Sequence, residues 1–376
     1  MRSLTISVAL VLAAAIPVGA ADTAALRMAL GQMPQAVLTS PYAELAQFVD
    51  MRVLRRLSGV DLTPRSLDRA RLAGSIRALE ALGIAGPQAW SEKAGIALGE
   101  VDYFLGFGQA PRTVTIWGLG NEAAAETLII ALGERGFVPV DGDILGNGEP
   151  MAMDPAKRDP ATPWRSMIGA ASFVARDESV IIQGSAPEAI AAQAGLVGAA
   201  DHPIVATALA GLAETAGSEP VVQAMLVSPI IGMDGFDPAA LMTPSQDLDA
   251  VWDNLLAQFE AGGDGLPPYA LGIIADIAAD PSAVAISLAY ADCESAGEAV
   301  HLLSDRWSSS MPEPAQGRLE SGLVKGVDTL CAATLTVTAE EAAPSANAIF
   351  DAVLNAHIRG ALAALQIGST QAGDTH

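Results

Sequence analysis

A glycine-rich segment in the first half of the chain has the residue types and spacing of a cofactor site. Gly118-Leu119-Gly120-Asn121-Glu122-Ala123 forms a G-x-G-x-x-A motif between a predicted strand and a predicted helix. In dinucleotide-binding folds such glycines allow the backbone to approach a pyrophosphate, and an acid about 20 residues later, here Asp141, binds a ribose. Glycine followed by an Asn N-cap also begins ordinary helices. We favour this structural turn and predict no cofactor, because the proline-rich sequence after Pro150 does not continue an alternating parallel pattern.

Oxygen-bearing side chains gather shortly after this motif. Asp141, Asp143, Asn147 and Glu149 lie within one predicted tight loop, and calcium prefers oxygen ligands of this kind. Their spacing differs from that of an EF-hand, and Asp and Asn are common in turns for backbone reasons alone. We therefore predict no metal, with calcium at Asp141 and Asp143 as the alternative.

The usual local signatures of catalysis are missing from the sequence. The histidines, His202, His301, His357 and His376, form neither an H-E-x-x-H nor a His-x-His pattern. Neither a G-x-S-x-G elbow nor an S-x-x-K pair occurs. These observations favour a protein that is not an enzyme, although a triad of residues distant in sequence has no local signature. We expect His357 to pack on a helical stripe and His301 to lie at the surface.

Two cysteines, Cys293 and Cys331, make up the whole cysteine content. The first follows the strand-like run Ala283 to Tyr290, and the second opens the run Leu330 to Val337. If these strands pair antiparallel, the end of one meets the beginning of the other. In an oxidising compartment this arrangement predicts a disulfide, which would stabilise the fold by about 3 to 4 kcal/mol.

The chain is strongly acidic, with one local reversal of charge. Its net charge of -23 at pH 7 repels phosphate backbones and argues against nucleic acid as a partner. Between positions 52 and 77, in contrast, seven arginines face only Asp61 and Asp68. They could pair with the protein's own acidic body, which we favour, or form a surface for an acidic protein partner or an anionic membrane. The seven are Arg52, Arg55, Arg56, Arg65, Arg69, Arg71 and Arg77.

The first residues have the layout of a secretory signal. A basic start, an apolar run from Leu4 to Ile16 and the small residues Pro17-Val18-Gly19-Ala20 predict that residues 1–20 are a cleaved signal peptide. The apolar run is shorter than the roughly 20 residues of a membrane span, and no later charge-free stretch reaches that length, so no transmembrane segment is predicted in the mature form. We expect a periplasmic protein, with secretion as the alternative.

Hydrophobic periodicity predicts a sheet with packed helices from Thr113 onward. We expect an α+β fold, in which a mainly helical N-terminal region precedes two ferredoxin-like repeat units with helices on mainly antiparallel sheets. The predicted domains cover residues 21–200 and 201–368, and residues 369–376 are a predicted disordered tail. Helices are predicted over Asn121 to Arg135, Pro187 to Ala194, Ser245 to Glu260, Glu294 to Trp307 and Pro344 to Leu365, with another beginning at Pro64.

Parts of the chain resemble a known group of sequences. Gly95-Ile96-Ala97-Leu98 to Val101-Asp102, followed by Phe107-Gly108-Gln109-Ala110-Pro111 and Thr113-Val114-Thr115-Ile116-Trp117-Gly118, resembles uncharacterised exported bacterial proteins with strand-helix-strand units. The segment Ser179 to Ala189 resembles their later strand and helix start. The resemblance covers part of the chain and implies no activity. The sequence thus predicts a non-catalytic binding or envelope-accessory protein, with two alternatives: a periplasmic hydrolase or oxidoreductase, and a carrier of a lipid or other apolar ligand.

Overall fold

The computed structural model describes residues 23–58, 67, 69–70, 76–193, 195–233, 265–341 and 346–368. The helices are α1 Ala24–Gly31, α2 Met51–Ser58, α3 Arg77–Ala85, α4 Pro87–Ala94, α5 Glu122–Glu134, α6 Pro187–Ala191, α7 Pro203–Ala216, α8 Cys293–Ser310 and α9 Ala348–Ile358. The strands are β1 Glu44–Asp50, β2 Val101–Phe107, β3 Val114–Leu119, β4 Val138–Asp141, β5 Ile144–Gly146, β6 Phe173–Asp177, β7 Val180–Gly184, β8 Val221–Val227, β9 Leu271–Ile277, β10 Ala283–Tyr290, β11 Arg318–Lys325 and β12 Cys331–Thr338. These elements confirm the α+β class.

All twelve strands belong to one antiparallel sheet. Their order is β11-β12-β10-β9-β8-β1-β2-β3-β7-β6-β5-β4. Strands β1 and β8 pair at the centre, with Gln47 opposite Met225. Outward from this pair, the order β8-β9-β10-β12-β11 on one side matches β1-β2-β3-β7-β6 on the other. The β4–β5 hairpin extends the second side, so it has no counterpart in the first.

Both faces of the sheet are covered, and the central strands are therefore mainly apolar, with a few buried polar residues such as Gln47, Gln223 and Asp276. The first face packs against α2, α3, α4, α5, α8 and α9 and includes the buried indoles of Trp90, Trp117 and Trp307. The second face packs against α1 and α7. Strands buried on both faces lose the alternation of polar and apolar residues that marks a half-exposed strand.

Several predicted elements are confirmed. Helix α5 lies within the predicted helix, and the Asn121 side chain caps it by accepting a hydrogen bond from the Ala124 amide at 2.9 Å. The sequence predicts a pair of strands over Tyr269 to Ile277 and Ala283 to Tyr290, and β9 and β10 form this pair in antiparallel orientation. Tyr290 lies opposite Cys331 in the β10–β12 pairing, and Cys293 and Cys331 form the predicted disulfide, with 4.9 Å between their Cα atoms.

Other predicted elements need correction. The region before Thr113 contains helices but also β1 and β2, two of the central strands. Because β1 is buried on nearly its whole length, its sequence lacks the period of a strand. The sequence from Phe137 to Leu145 predicts one strand interrupted by Pro139. In the structure these residues belong to a hairpin of β4 and β5 that turns at Gly142, a glycine with positive φ.

The C-terminal half also differs in detail from the prediction. Strand β11 was not predicted; it is an exposed edge strand with charged residues, which protect an edge from pairing with other chains. The long predicted C-terminal helix includes the shorter α9. The sequence also predicts a junction between the two repeat units from Ala199 to Pro220, and this segment contains α7. The predicted signal peptide, the helix at Pro64, the helix from Ser245 to Glu260 and the tail 369–376 lie outside the described residues.

Candidate functional site

A groove opens on the first face of the sheet, where β3 begins and β7 ends. It lies over Thr115 and Gln183, which are opposite each other in the β3–β7 pairing. Its volume is about 230 Å³, which is room for roughly eight waters at about 30 Å³ each, or for a ligand of similar size. We call it the Arg77 groove, because Arg77 is the charged residue among the described residues that line it.

Apolar side chains form most of the wall. The loop between β5 and β6 contributes Met151, Met153 and Ile168, which are 45%, 69% and 48% exposed, and Pro111 comes from the β2–β3 loop. Methionine is flexible and polarizable, so it fits ligands of varied shape. An apolar lining with few polar groups is typical of small-molecule sites.

Arg77 is the first residue of α3, and helix and loop together hold its guanidinium in the wall. Nη1 donates to Oε2 of Glu80 at 2.8 Å, and Nη2 donates to the Thr162 carbonyl oxygen at 3.3 Å. Burial lowers the pKa of Arg77 from its ordinary value of 12.5, while the Glu80 carboxylate raises it. An arginine stays charged at neutral pH in such surroundings, so the groove carries one positive charge.

Two polar atoms of the wall are buried without a partner. Among the described residues, Nε of Arg77 has no hydrogen-bond acceptor and Oγ of Ser185 has no hydrogen-bond partner. A buried polar group left unpaired costs about 1 to 3 kcal/mol. Such groups at a cavity indicate a place where a bound molecule can complete the hydrogen bonding.

Gln183 connects the groove to an aromatic cluster. Its Nε2 donates to the Pro163 carbonyl oxygen at 2.7 Å and to Oγ of Ser172 at 3.0 Å, and its Oε1 accepts from Nε1 of Trp117 at 3.0 Å. The amide is therefore fully used within the protein. Ser172 and Gln183 therefore form a rigid part of the wall. Hydrogen bonds to a ligand would come from other residues of the lining.

The aromatic cluster beside the groove is a stack of three indoles. The ring centroids of Trp90 and Trp117 are 5.7 Å apart with an interplanar angle of 22°, and those of Trp117 and Trp164 are 4.8 Å apart at 8°. Phe104 packs edge-on against Trp117. Because Trp117 contacts Gln183 directly, its fluorescence can report on occupancy of the groove.

The glycine motif runs from the end of β3, which includes Gly118, through a bend at Gly120 to the start of α5. A Cβ atom at Gly118 would lie 2.0 Å from the Tyr103 ring, so this position needs glycine for packing. Three strands, β7, β6 and β5, separate β3 from β4, which carries Asp141. Gly120 and Asp141 therefore lack the neighbouring parallel strands of a dinucleotide fold.

The side chains considered as calcium ligands, among them Asp141, Asp143 and Asn147, take part in different local structures. Asp141 and Asp143 flank the turn at Gly142. The Asn147 amide donates to the Trp164 carbonyl oxygen at 3.0 Å and accepts from the Ser172 amide at 3.0 Å, so it supports the loop. Among the described residues, no group of three or more His, Cys, Asp or Glu side chains is placed to hold a metal ion.

Four of the five described arginines of the basic segment pair with the protein's own carboxylates. Arg52 pairs with Asp50 at 3.3 Å, Arg55 with Asp102 at 3.8 Å, and Arg77 with Glu80. Arg56 is exposed. Arg65 and Arg71 lie outside the described residues. The favoured pairing with the acidic body is thus seen at Arg52, Arg55, Arg69 and Arg77.

Arg69 is buried and so is not part of any surface. Its Nε and Nη2 donate to the two oxygens of Asp276 at 3.1 and 2.8 Å. Nδ2 of Asn347 donates to Oδ1 of the same carboxylate at 2.7 Å, and Nε2 of Gln223 to its Oδ2 at 3.0 Å. This network joins the segment after α2 to strands β8 and β9 and to the start of α9. The alternative of an arginine surface therefore does not extend to Arg69, whose pairing with Asp276 follows the favoured interpretation.

The histidines within the described chain do not assemble a site. His357 is half-buried on α9, with its Nε2 3.6 Å from Oε2 of Glu44, and His301 is exposed on α8, both as expected. Nδ1 of His202 is buried without a partner at the start of α7. Every helix in the described ranges is too short or too polar to cross a bilayer.

Sequence reasoning did not find the Arg77 groove, although a signal was present. Thr115 and Gln183 are polar residues within otherwise apolar strand runs, and a buried polar residue in a strand indicates a special environment. Nothing local connects them with Arg77 or Met153. Comparison with protein-family models, with curated proteins and with solved structures finds no match to this chain.

Proposed function

We propose that this chain is an exported, non-catalytic binding protein that holds a small, mainly apolar ligand in the Arg77 groove. The groove carries the proposal, since it combines an apolar wall with one charged residue and two buried polar atoms that lack partners. Such a combination gives apolar contact for affinity and a few polar groups for orientation. This joins the binding role and the apolar-ligand carrier inferred from the sequence.

The polar residues of the lining favour binding over catalysis. Besides Arg77 they are hydroxyl and amide residues, namely Thr113, Thr115, Ser166, Ser172, Gln183 and Ser185. Among the described lining residues there is no His, Asp, Glu or Lys to act as a base for these hydroxyls. A hydrolase or oxidoreductase stays the alternative, with residues outside the groove.

Export to the periplasm is part of the proposal. The Cys293–Cys331 disulfide supports it, because disulfides persist in oxidising compartments. The basic start and apolar run of residues 1–20 support it from the sequence. The resemblance to uncharacterised exported bacterial proteins stays a prediction. Docking of an acidic partner or an anionic membrane on the arginine-rich segment, which includes Arg52 and Arg56, also stays a prediction.

We also propose that the two halves of the sheet are internal ferredoxin-like repeats. In one half, β10 leads through α8 to β11, with β12 between the two strands. In the other half, β3 and β6 flank β7 in the same way, and α5 follows β3. Both are split strand-helix-strand units. Helix α9 lies on the first face in one half, whereas the long loop before β6 and the groove occupy the first face in the other.

Binding to the groove can be tested with 1-octanol, a neutral apolar probe. We expect saturable binding that changes tryptophan fluorescence, measured alongside isothermal titration calorimetry. Ala170 is half-buried in the groove wall, so Ala170→Phe should fill the space and remove binding. Ala123 is exposed on α5, and Ala123→Phe should bind as the unmodified chain does.

Two outcomes of this experiment would overturn the proposed function. One is the lack of any saturable signal with the unmodified, folded chain. The other is equal binding by the Ala170→Phe and Ala123→Phe variants, which would place the octanol outside the groove. Circular dichroism of both variants establishes that each is folded.

A further inference from the structure

We propose that the ligand of the Arg77 groove is a medium-chain acyl carboxylate whose carboxylate binds Arg77. This inference rests on the proposed function, because it requires the groove to be a binding site. It adds the chemical class of the ligand and the residue that recognises it. Its basis is the juxtaposition of one guanidinium, an unpartnered hydroxyl and an apolar wall of limited size.

Local charge favours an anionic head group. Arg77 is a cation, and no carboxylate occurs among the described residues of the lining. The chain as a whole carries a charge of -23, so its long-range field does not attract anions. Selection of an anion must therefore come from direct contact with Arg77. Arginine and carboxylate match in geometry as well as charge.

Arg77 has donors to spare for such a contact. A guanidinium has five N–H donors, and only Nη1 and Nη2 form hydrogen bonds in the structure, one each. The side chain is 19% exposed, so part of it is accessible from the groove. Ser185 adds a hydroxyl whose oxygen has no partner. This oxygen is buried, so Ser185 must change its side-chain rotamer to reach a ligand oxygen, which requires no movement of the backbone.

The wall sets the size and character of the rest of the ligand. Met151, Met153, Ile168 and Pro111 present carbon and sulfur atoms, which favour an alkyl chain. A volume of about 230 Å³ holds roughly eight non-hydrogen atoms at about one water volume each. A six-carbon acyl carboxylate has about eight non-hydrogen atoms and fits inside this volume, whereas octanoate has about ten, so the end of its chain would extend from the open side of the groove.

Glu80 competes with the ligand for the same arginine. Its Oε2 lies 2.8 Å from Nη1 of Arg77, while Glu80 itself is outside the lining. This ion pair partly neutralises the charge that the ligand would meet. Removal of the Glu80 charge should therefore strengthen carboxylate binding and leave the binding of a neutral ligand unchanged.

The test compares dissociation constants for octanoate and 1-octanol at neutral pH, measured by calorimetry on the full folded chain. We expect octanoate to bind at least about tenfold more tightly than octanol. Arg77→Gln should remove this preference and keep octanol binding, which also shows that the variant is folded. Arg56→Gln, the same change at an exposed arginine, should keep the preference. Glu80→Gln should tighten octanoate binding several-fold.

The outcomes separate this inference from the proposed function. Octanol binding without any preference for octanoate, or a preference that survives Arg77→Gln, overturns the carboxylate assignment and leaves the groove as a binding site. If the unmodified chain binds neither octanoate nor 1-octanol, the proposed function itself is overturned. If Arg77→Gln does not fold, Glu80→Gln decides, since equal affinity of this variant and the unmodified chain for octanoate contradicts the inference.

Discussion

The indole nitrogen of Trp117 donates a hydrogen bond to Oε1 of Gln183 at 3.0 Å, and both side chains are buried. The two residues lie on adjacent strands, β3 and β7, and on the same face of the sheet. Through this bond the wall of the Arg77 groove is attached to the stack of Trp90, Trp117 and Trp164. The Gln183 amide therefore connects the wall of the groove to the buried core, and the position of this wall depends on its hydrogen bonds.

Replacement of that amide should destabilise the fold. Gln183→Leu leaves Nε1 of Trp117 and the Pro163 carbonyl oxygen buried without partners. We expect a loss of about 2 to 4 kcal/mol in the free energy of unfolding, measured by urea denaturation. Gln109→Leu, at an exposed position, should change it by less than about 0.5 kcal/mol. Similar values for the two variants would contradict the role of Gln183.

The buried ion pair of Arg69 and Asp276 should be costly to break. Asp276→Asn removes the charge that faces the Arg69 guanidinium, and we expect about 3 to 5 kcal/mol of destabilisation in urea denaturation. The Arg318–Glu320 pair is exposed, with 72% and 68% of the side chains accessible, so Glu320→Gln should cost less than about 1 kcal/mol. A loss of less than about 1 kcal/mol for Asp276→Asn would contradict a stabilising role of the buried ion pair.

Loss of the disulfide should lower stability without changing the fold. The bond closes a loop with a sequence separation of 38 residues, and its removal should cost about 3 to 4 kcal/mol through the entropy of the unfolded chain. The measurement compares urea denaturation of the Cys293→Ser, Cys331→Ser double variant with that of the oxidised chain. The oxidised chain should contain no free thiol when denatured without reductant. Two free thiols under those conditions would contradict the bond.

The α+β class and several individual elements could be predicted from the sequence, because local signals were consistent there. Asn121 marks the start of α5, and the cysteine spacing identifies which ends of β10 and β12 meet. Strand β1 could not be recognised, since burial on both faces removes the period on which strand prediction depends. Strand β11 could not be recognised either, because an exposed edge strand carries polar residues that are also typical of loops.

The candidate site could not be predicted, because its parts come from distant segments. Arg77 begins α3, Met153 lies in the loop before β6, and Ser185 follows β7. Only the tertiary fold brings them together. The sequence did identify the basic segment that contains Arg77, but it did not distinguish Arg77, which lines a groove, from Arg69, which is buried in an ion pair.

Alkaline pH should destabilise the protein through Tyr103. Burial raises the pKa of Tyr103 to about 12, above the ordinary value of about 10 that applies to the unfolded chain. Its contribution to stability is complete below pH 10 and is lost as the pH rises from about 10 to about 12. Tyr103→Phe should therefore reduce the decline in the free energy of unfolding over this interval. The free energy of unfolding is measured by urea denaturation at successive pH values. If Tyr103→Phe leaves the decline unchanged, groups other than Tyr103 cause it.

Photo-crosslinking tests most directly that the Arg77 groove binds a small apolar carboxylate. The probe is an octanoate analogue with a diazirine on its alkyl chain, and the labelled peptides are identified by mass spectrometry. We predict that label falls on the peptides that contain Met151 to Met153 and Ser166 to Ala171, and that excess octanoate removes it. Label on other peptides, or label that octanoate does not displace, would contradict the account.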